Sequence, residues 1–194
     1  MKLVLASTSK FKNEILDKVG MKHNSIDSVF DENSIDKLDV YKYVKALALG
    51  KANSVLNMVD DCIILGLDTI VYVDGKILEK PKDLNEARDN LKLSAGKTTS
   101  VITGICLINK VTNEVVSDYQ ETMVTLNDIS ENDLDYYIEN EPDVMYASGF
   151  IIETIASNFI KKINGSFYNI LGIPVEKIYE HLLRWNIHLK DLEK

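Results

Sequence analysis

Apolar and polar residues follow one another along this chain in patterns that predict both strands and helices. Patterns typical of strands lie at Lys2–Ala6, Cys62–Leu67 and Asn158–Ile163, and two long β-type runs lie at Ser100–Ile108 and Val115–Leu126. Apolar residues at helical spacing predict helices over Lys10–Val19, Val40–Asn57, Leu84–Leu93, Ser130–Asn140 and Val175–Leu183. The segment Met21–Leu38 is polar and is expected to be a strand leading into a loop, and the tail from Arg184 is expected to be loosely held.

The strand predicted at Cys62–Leu67 is followed directly by Asp68 and Thr69. A carboxylate at the end of a buried strand lies where open α/β sheets tend to bind ligands. Asp68 is therefore a candidate functional residue. The alternative is a carboxylate that merely caps a neighbouring segment.

A β-hairpin is predicted shortly after this strand. Asp74-Gly75 lies between two short β-forming runs, and both central residues of a two-residue turn need positive φ. This turn would pair Val73 with Lys76 and, further out, Thr69 with Lys80. Lys80 would then return to within about one residue of the carboxylate at the strand end. The alternative is a surface hairpin with a solvated lysine.

The N-terminal strand leads through the hydroxyl-rich turn Ser7–Ser9 into a helix with Lys10 and Lys12 in its first turn. Free backbone N–H groups, hydroxyls and ammonium groups at a helix N-terminus suit a phosphate. Lysine in a first turn opposes the helix dipole, so an anionic partner would explain it. The alternative is a plain N-cap with solvated lysines. Phe11, by default, is expected to be a core residue of this helix.

Two charged residues interrupt otherwise apolar patterns. Lys51 follows Val44 by seven residues and falls within the apolar stripe of its helix, so it should either snorkel to solvent or meet an anion. Glu153 interrupts the apolar run Phe150–Ile155, and a carboxylate there needs a partner or an opening to water.

One segment partly matches the P-loop motif of nucleotide-binding proteins but lacks a required glycine. Ser94–Thr98 matches the end of a P-loop, yet the first required glycine would fall at Leu91. An ATPase of the P-loop type is rejected on this ground.

Composition narrows the function classes. The chain has 194 residues, 45% of them hydrophobic and 27% charged, with a formal net charge of −8. This charge argues against a general nucleic-acid binder. No apolar run approaches the roughly 18 residues of a membrane span, and the N-terminus lacks the pattern of a signal peptide. Cys62 and Cys106 lie in apolar runs and are expected to be buried thiols. Together with the lack of a membrane-span run and of a signal-peptide pattern, this favours a cytoplasmic protein.

Four segments, in this order and spacing, resemble the Maf family of nucleoside triphosphate pyrophosphatases over nearly the whole chain. They are Leu3–Ser9 with its helix, Leu67-Asp68-Thr69 through Lys80-Pro81, Gly96 through Val101–Gly104, and Ile163–Gly165 through Gly172–Pro174. The resemblance implies an α/β fold with a long curved mixed β-sheet flanked by helices, similar to the inosine triphosphatase fold. It also implies a single domain over residues 1–194, with two lobes, no linker and a central cleft.

The resemblance also implies site residues and a cofactor. Asp68 corresponds to the family's proton acceptor, Lys80 to its phosphate-contacting lysine, and Lys51 to the lysine of the second helix. Glu32 matches the acidic residue of the loop before that helix, and Ser7 the hydroxyl of the first turn. A divalent cation, Mg²⁺ or Mn²⁺, is expected to be held by Glu32 and Asp68.

The residues that distinguish the substrate classes within the family point to different substrates in this chain. The family's Ser-Pro-Arg-Arg is replaced by Ser9–Lys12, so Lys12 keeps one charge but loses bidentate phosphate recognition. Phe11 and Glu153 resemble a branch that acts on 7-methylguanosine triphosphate, whereas Thr69 resembles the pyrimidine-directed branch. A carboxylate at 153 accepts two hydrogen bonds and so suits guanine, and Phe11 could stack on a cationic base.

The favoured hypothesis is therefore an enzyme that hydrolyses a nucleoside triphosphate, preferably a 7-methylguanosine-type purine, to the monophosphate and pyrophosphate. The alternatives are a dTTP/UTP-type pyrimidine pyrophosphatase of the same family and a non-catalytic nucleotide-binding regulator of cell division. A nucleic-acid or structural interaction module is disfavoured by the negative charge. The expected partner is a small nucleotide, without nucleic acid or membrane, and a homodimer is compatible with the family.

Overall fold

The computed structural model describes residues 1–32 and 35–193. Within them the strands are β1 (Lys2–Leu5), β2 (Asn24–Ser25), β3 (Cys62–Val73), β4 (Lys76–Leu78), β5 (Thr98–Asn109), β6 (Glu114–Leu126) and β7 (Ile160–Asn164). The helices are α1 (Lys10–Lys18), α2 (Val40–Ser54), α3 (Leu84–Ser94), α4 (Glu131–Asn140), α5 (Phe167–Ile170) and α6 (Val175–Arg184). In the predicted loop over Met21–Leu38, residues 33 and 34 lie outside the described part of the chain.

The strands form one mixed sheet in the order β2-β1-β3-β5-β6-β7, with β4 paired to β3. β1 runs parallel to both of its neighbours, with Leu5 opposite Ser25 of β2 and Leu65 of β3. β4 is antiparallel to β3, and β7 is antiparallel to β6. The expected mixed α/β fold with helices flanking the sheet is confirmed.

The chain divides into two compact units. The first comprises residues 1–69, 103–120 and 171–194, and the second comprises residues 70–102 and 121–170. Strands β3, β5 and β6 each contribute residues to both units. The expected organisation as a single domain with two lobes and a central cleft stays a prediction.

In the first unit, side chains alternate between two apolar clusters on opposite faces of the strands. One cluster joins Leu3, Leu5, Ile63, Leu65, Leu67, Ile105 and Leu107 to residues of α1 and α6. The other joins Val4, Ala6, Cys62, Ile64, Cys106 and Ile108 to Ala48 and Ala52 of α2. Because successive strand residues point to opposite faces, the odd-numbered residues of β3 in the first unit face α1 and α6, and the even-numbered ones face α2.

Strand β3 does not end where the apolar run ends. It continues through Asp68 and Thr69 to Val73, so the expectation that the strand stops at Asp68 is wrong. The physical reason is that Asp68 meets a cation, Lys51, and Thr69 bonds another hydroxyl, so neither polar side chain interrupts the strand.

The predicted hairpin is confirmed only near its turn. Val73 pairs with Lys76, and Asp74 and Gly75 both have positive φ, at 49° and 79°. The ladder stops at Val71 opposite Leu78, so the predicted pairing of Thr69 with Lys80 lies beyond β4. Pro81 has no N–H to donate and is one reason why the pairing cannot extend past Lys80.

The C-terminal segment is held in place, contrary to the expectation of a loose tail. Leu192 is only 1% exposed and belongs to the apolar cluster of α1 and α6. Glu193 forms a parallel bridge with Lys2, and the N–H of Glu193 donates to the Met1 carbonyl at 3.1 Å. The tail therefore contributes to the core of the first unit.

Two glycines let helix α2 lie unusually close to the strands of the first unit. A Cβ added to Gly66 of β3 would lie 2.1 Å from the Ala48 carbonyl oxygen. A Cβ added to Gly104 of β5 would lie 1.9 Å from the Val44 carbonyl oxygen. Both contacts are with helix backbone, which cannot move away as a flexible side chain could. The absence of these two side chains therefore sets the distance between helix and strands.

Replacing Gly104 with alanine is expected to lower the free energy of unfolding by about 2–3 kcal/mol, because overpacking forces helix α2 away from the strand. Chemical denaturation followed by circular dichroism would measure this change. Gly149 is the matched control, since its added Cβ would meet side-chain atoms at an ordinary 3.7 Å. Equal stability of the two alanine variants would contradict the close-packing argument.

Candidate active site

Lys51 lies between two carboxylates that are far apart in sequence. Its Nζ is 2.8 Å from Oε1 of Glu32 and also contacts Oδ1 of Asp68. The Lys51 side chain is 17% exposed and that of Asp68 13%, whereas Glu32 is about half exposed at 49%. This group of three residues, all in the first unit, is open to solvent mainly on the Glu32 side.

The fold explains why Asp68 and Lys51 meet. Asp68 is an even-numbered residue of β3, so strand alternation points it toward α2. Lys51 lies in the last turn of α2, within the same stripe as buried Val44 and Leu47. Gly66, two residues before Asp68 on the same face, allows the helix to approach closely enough for the two side chains to touch.

The charges around Lys51 change its pKa. Burial alone would lower the pKa of this ammonium group, but the carboxylates of Asp68 and Glu32 outweigh burial and raise the pKa above the ordinary 10.5. Lys51 is therefore a cation at neutral pH. The sequence left open whether the Lys51 side chain snorkels to solvent or meets an anion. In the structure its ammonium group contacts two carboxylates.

The turn before α1 and the first turn of that helix lie beside the strand that carries Asp68. Ser7 Oγ accepts a hydrogen bond from the Ser9 N–H at 3.2 Å, which shapes the turn. Lys12 Nζ donates to the Leu67 carbonyl at 3.0 Å, one residue before Asp68. The first turn of α1 contains no acidic residue. Ser7 and Lys12 thus flank the same stretch of β3.

Thr69 points to the opposite face of β3 and meets residues that the sequence patterns did not single out. Its Oγ1 lies 2.9 Å from Oγ1 of Thr103, a fully buried residue of β5. A Cβ on Gly172 would lie 3.2 Å from Thr69 Oγ1 and 3.7 Å from Cε of Lys12, and Gly172 has a positive φ of 80°. Thr103 and Gly172 both lie in segments that carried the family resemblance. That resemblance was the sequence feature from which their place near Thr69 could have been predicted.

Phe11 is not a core residue, so the default expectation is wrong. It is 45% exposed in the first turn of α1, while Ile15 and Leu16 supply the buried face of that helix. Phe11 precedes Ile15 by about one turn on the same helical face, but it lies in the first turn, where the ring stays exposed to solvent. The exposed ring is compatible with stacking on a planar ligand.

Lys80 and Glu153 belong to the second unit, and both are exposed there. Lys80 follows the end of β4, and Glu153 lies in a turn between α4 and β7. Exposure gives the Glu153 carboxylate the opening to water that its apolar neighbours required. Their association with the residues around Lys51 stays a prediction.

Glu32 and Asp68 fit a divalent cation only in part. Their oxygens are the donors that Mg²⁺ and Mn²⁺ prefer, and Mg²⁺ is commonly bound by one or two carboxylates together with substrate phosphates. Among the described residues, no group of three or more His, Cys, Asp or Glu side chains could hold a metal ion by itself. The carboxylates therefore suit a cation that arrives with a polyphosphate.

Two other expectations concern the thiols and the membrane. Cys62 and Cys106 are both buried free cysteines, as predicted, and burial raises the pKa of Cys106 to about 12. Cys106 is therefore a protonated, unreactive thiol at neutral pH. In the described residues, every helix is too short or too polar to cross a bilayer.

A family profile described as "Maf-like protein" matches residues 2–185, and the chain therefore belongs to the Maf family. Proteins named dTTP/UTP pyrophosphatase are similar over nearly their whole length. The protein from Clostridium perfringens is 37% identical over 96% of this chain and 98% of its own. The protein from Clostridium acetobutylicum is 37% identical over 97% of this chain and 100% of its own. The protein from Acholeplasma laidlawii is 34% identical over 95% of this chain and 97% of its own.

A solved structure with lower sequence identity is also similar to this chain. The Ham1 protein of Staphylococcus aureus is 11% identical, with a TM-score of 0.45 over 65% of this chain and 72% of its own. This likeness is too weak to support a conclusion about fold or function.

Proposed function

We propose that this protein hydrolyses dTTP and UTP to the corresponding monophosphates and pyrophosphate. Its class, nucleoside triphosphate pyrophosphatase, follows from membership of the Maf family and from similarity to proteins named for that activity. The observation that carries the proposal is the contact of Lys51 with both Asp68 and Glu32. In the proposed function, this contact would bring together a base, a phosphate-binding cation and metal-binding oxygens.

The relatives favour pyrimidine substrates over the 7-methylguanosine-type purine that Phe11 and Glu153 suggested. The similar proteins are named dTTP/UTP pyrophosphatases. Thr69, which resembles the pyrimidine-directed branch, supports the same substrate class. Glu153 is compatible with this substrate because a carboxylate can accept a hydrogen bond from the N3–H of thymine or uracil. The purine preference receives no support from the relatives, and the pyrimidine alternative is the better one.

In the proposed reaction, a water molecule attacks the α-phosphorus and gives its proton to the Asp68 carboxylate. The bond between the α-phosphorus and the oxygen that bridges to the β-phosphorus breaks, and pyrophosphate leaves with that oxygen. Asp68 contacts Lys51 in the structure, so the triphosphate must take over this ammonium group before Asp68 can act as a base. Lys51, Lys12 and Lys80 would neutralise the negative charge of the phosphates.

A divalent cation would bind to Glu32 and Asp68 and to the phosphates. When bound, it would supply charge neutralisation on the phosphate oxygens and lower the pKa of a bound water. Glu32, at about half exposure, can reorient from Lys51 toward such an ion at little cost. The role of the protein residues is to align the triphosphate and to accept the proton.

The proposal is tested by measuring pyrophosphate release from dTTP, UTP, dGTP and 7-methyl-GTP with Mg²⁺ or Mn²⁺. We expect the highest kcat/KM for dTTP and UTP, and loss of activity with a chelator that is restored by added metal. Rapid hydrolysis of 7-methyl-GTP alone would overturn the substrate assignment. Calorimetric binding of a nucleotide with no product over hours would instead favour the non-catalytic regulator, the alternative suggested by Phe11 and Lys12 in place of the family's two arginines.

Replacing Glu153 with glutamine is expected to raise the preference for dTTP over dGTP by about tenfold. The glutamine amide can donate to a pyrimidine carbonyl, which a carboxylate cannot do, and one hydrogen bond is worth about 1–1.5 kcal/mol. The ratio of kcat/KM for the two nucleotides measures the effect. An unchanged ratio would show that Glu153 does not contact the base.

A further inference from the structure

The turn that carries Glu153 is attached to the C-terminal end of helix α4 by two hydrogen bonds. At the start of the turn, the Ile151 N–H donates to the Tyr137 hydroxyl at 3.0 Å. At its end, the Thr154 hydroxyl donates to Oε2 of Glu141. The turn is closed by the Thr154 N–H, which donates to the Ile151 carbonyl at 3.4 Å. Glu153 is thus held between two anchored residues.

The anchors are buried parts of the second unit. Glu141 is 3% exposed and Tyr137 is fully buried. A buried carboxylate is costly unless its oxygens accept hydrogen bonds, and the Thr154 hydroxyl and the Asp143 N–H, at 3.4 Å, supply them. Displacing the turn would leave the Glu141 carboxylate without its hydroxyl partner. The burial of Glu141 therefore resists movement of the turn.

The turn itself separates a packed residue from an exposed one. Ile152 is 4% exposed and inserts into the second unit, whereas Glu153 next to it is exposed. Burial of the isoleucine side chain is favourable, and this further fixes the backbone at this point. The Glu153 side chain itself is exposed and so remains free to rotate about its own torsions.

We propose that Glu141 and Thr154 are positioning residues that hold Glu153 in the orientation from which it discriminates between nucleotide bases. This inference rests on the proposed function, in which Glu153 contacts the base. A hydrogen-bonding group on an anchored turn loses little freedom on binding, so its hydrogen bond contributes fully to the difference between one base and another. On a loosened turn, Glu153 keeps its charge but adapts to either base.

The test compares Thr154→Val, which removes the hydroxyl, with Thr154→Ser, which keeps it. Dissociation constants are measured by calorimetry for the α,β-imido analogues of dTTP and dGTP with Mg²⁺, which bind without turnover. We expect the valine variant to reduce the ratio of the two constants about 3- to 10-fold, and the serine variant to keep the wild-type ratio. Thermal melts establish that each variant is folded, and Thr154→Ala replaces the valine variant if that one does not fold.

A double substitution shows whether the effect passes through Glu153. Combined with Glu153→Ala, the valine substitution should cause no further change in the ratio, because the positioned group is already absent. Additive effects, a wild-type ratio in Thr154→Val, or a wild-type ratio in Glu153→Ala would each overturn the inference. If the expected ratios are found but the wild-type protein hydrolyses no triphosphate, the positioning role stands and the proposed catalysis fails.

Discussion

Replacing Asp68 with asparagine is expected to lower kcat for triphosphate hydrolysis by about 100- to 10,000-fold. The amide cannot accept the proton of the attacking water, and a positioned base contributes rate enhancement of this size. The asparagine oxygen can still accept a hydrogen bond from Lys51, so the fold is expected to be retained. Steady-state measurement of pyrophosphate release, together with a thermal melt, separates the loss of chemistry from any loss of structure.

The matched control for this variant is Asp89→Asn. Asp89 is an exposed residue of α3 in the second unit, so its substitution removes the same charge from the protein without touching Lys51. We expect wild-type activity from it. Comparable rates in the two asparagine variants would mean that another group accepts the proton.

Replacing Lys51 with methionine is expected to lower kcat/KM by about 100- to 1,000-fold, the usual consequence of removing one charge-stabilising donor. It should also lower the free energy of unfolding by about 1–3 kcal/mol, because two neighbouring carboxylates lose the cation between them. Glu32 is about half exposed, so water screens its contact with Lys51 and the expected loss is smaller than for a fully buried ion pair. Lys22→Met is the control, since Lys22 is exposed and lies outside the site.

The stability difference between wild type and Lys51→Met should depend on pH in a defined direction. The pKa of Lys51 is raised in the folded protein relative to the ordinary 10.5, since the two carboxylates outweigh the effect of burial. Its stabilising contribution is therefore complete below pH 10.5 and is lost as pH rises through the higher folded value. Urea unfolding at pH 8 and pH 11 would measure this, and a difference that grows at alkaline pH would contradict the ion-pair account.

The sequence was informative where a residue conflicted with its local pattern. Lys51 on an apolar helical stripe and Asp68 after an apolar run were both identified in this way, and the structure joins them. The hairpin turn at Asp74-Gly75 could be predicted because its backbone angles demand particular residues. These are local effects, and local patterns report them well.

The features that escaped prediction depend on contacts between distant segments. Strand β3 continues through Asp68 because Lys51, 17 residues earlier in the chain, supplies the cation that this carboxylate needs. The tail packs because Leu192 reaches the core shared with α1 and α6. Thr103 becomes a neighbour of Thr69 only when β5 takes its place beside β3. Such pairings have no signature within a window of neighbouring residues.

The hydrogen bond from Lys12 to the Leu67 carbonyl has a consequence for the thermodynamics of ligand binding. A solvated lysine loses up to about 2 kcal/mol of rotamer entropy when it is immobilised. Because this 3.0 Å bond already orders the Lys12 side chain, much of that loss occurs during folding and not during association. Calorimetry should therefore show a less unfavourable binding entropy for pyrophosphate than a freely rotating lysine at the same position would give.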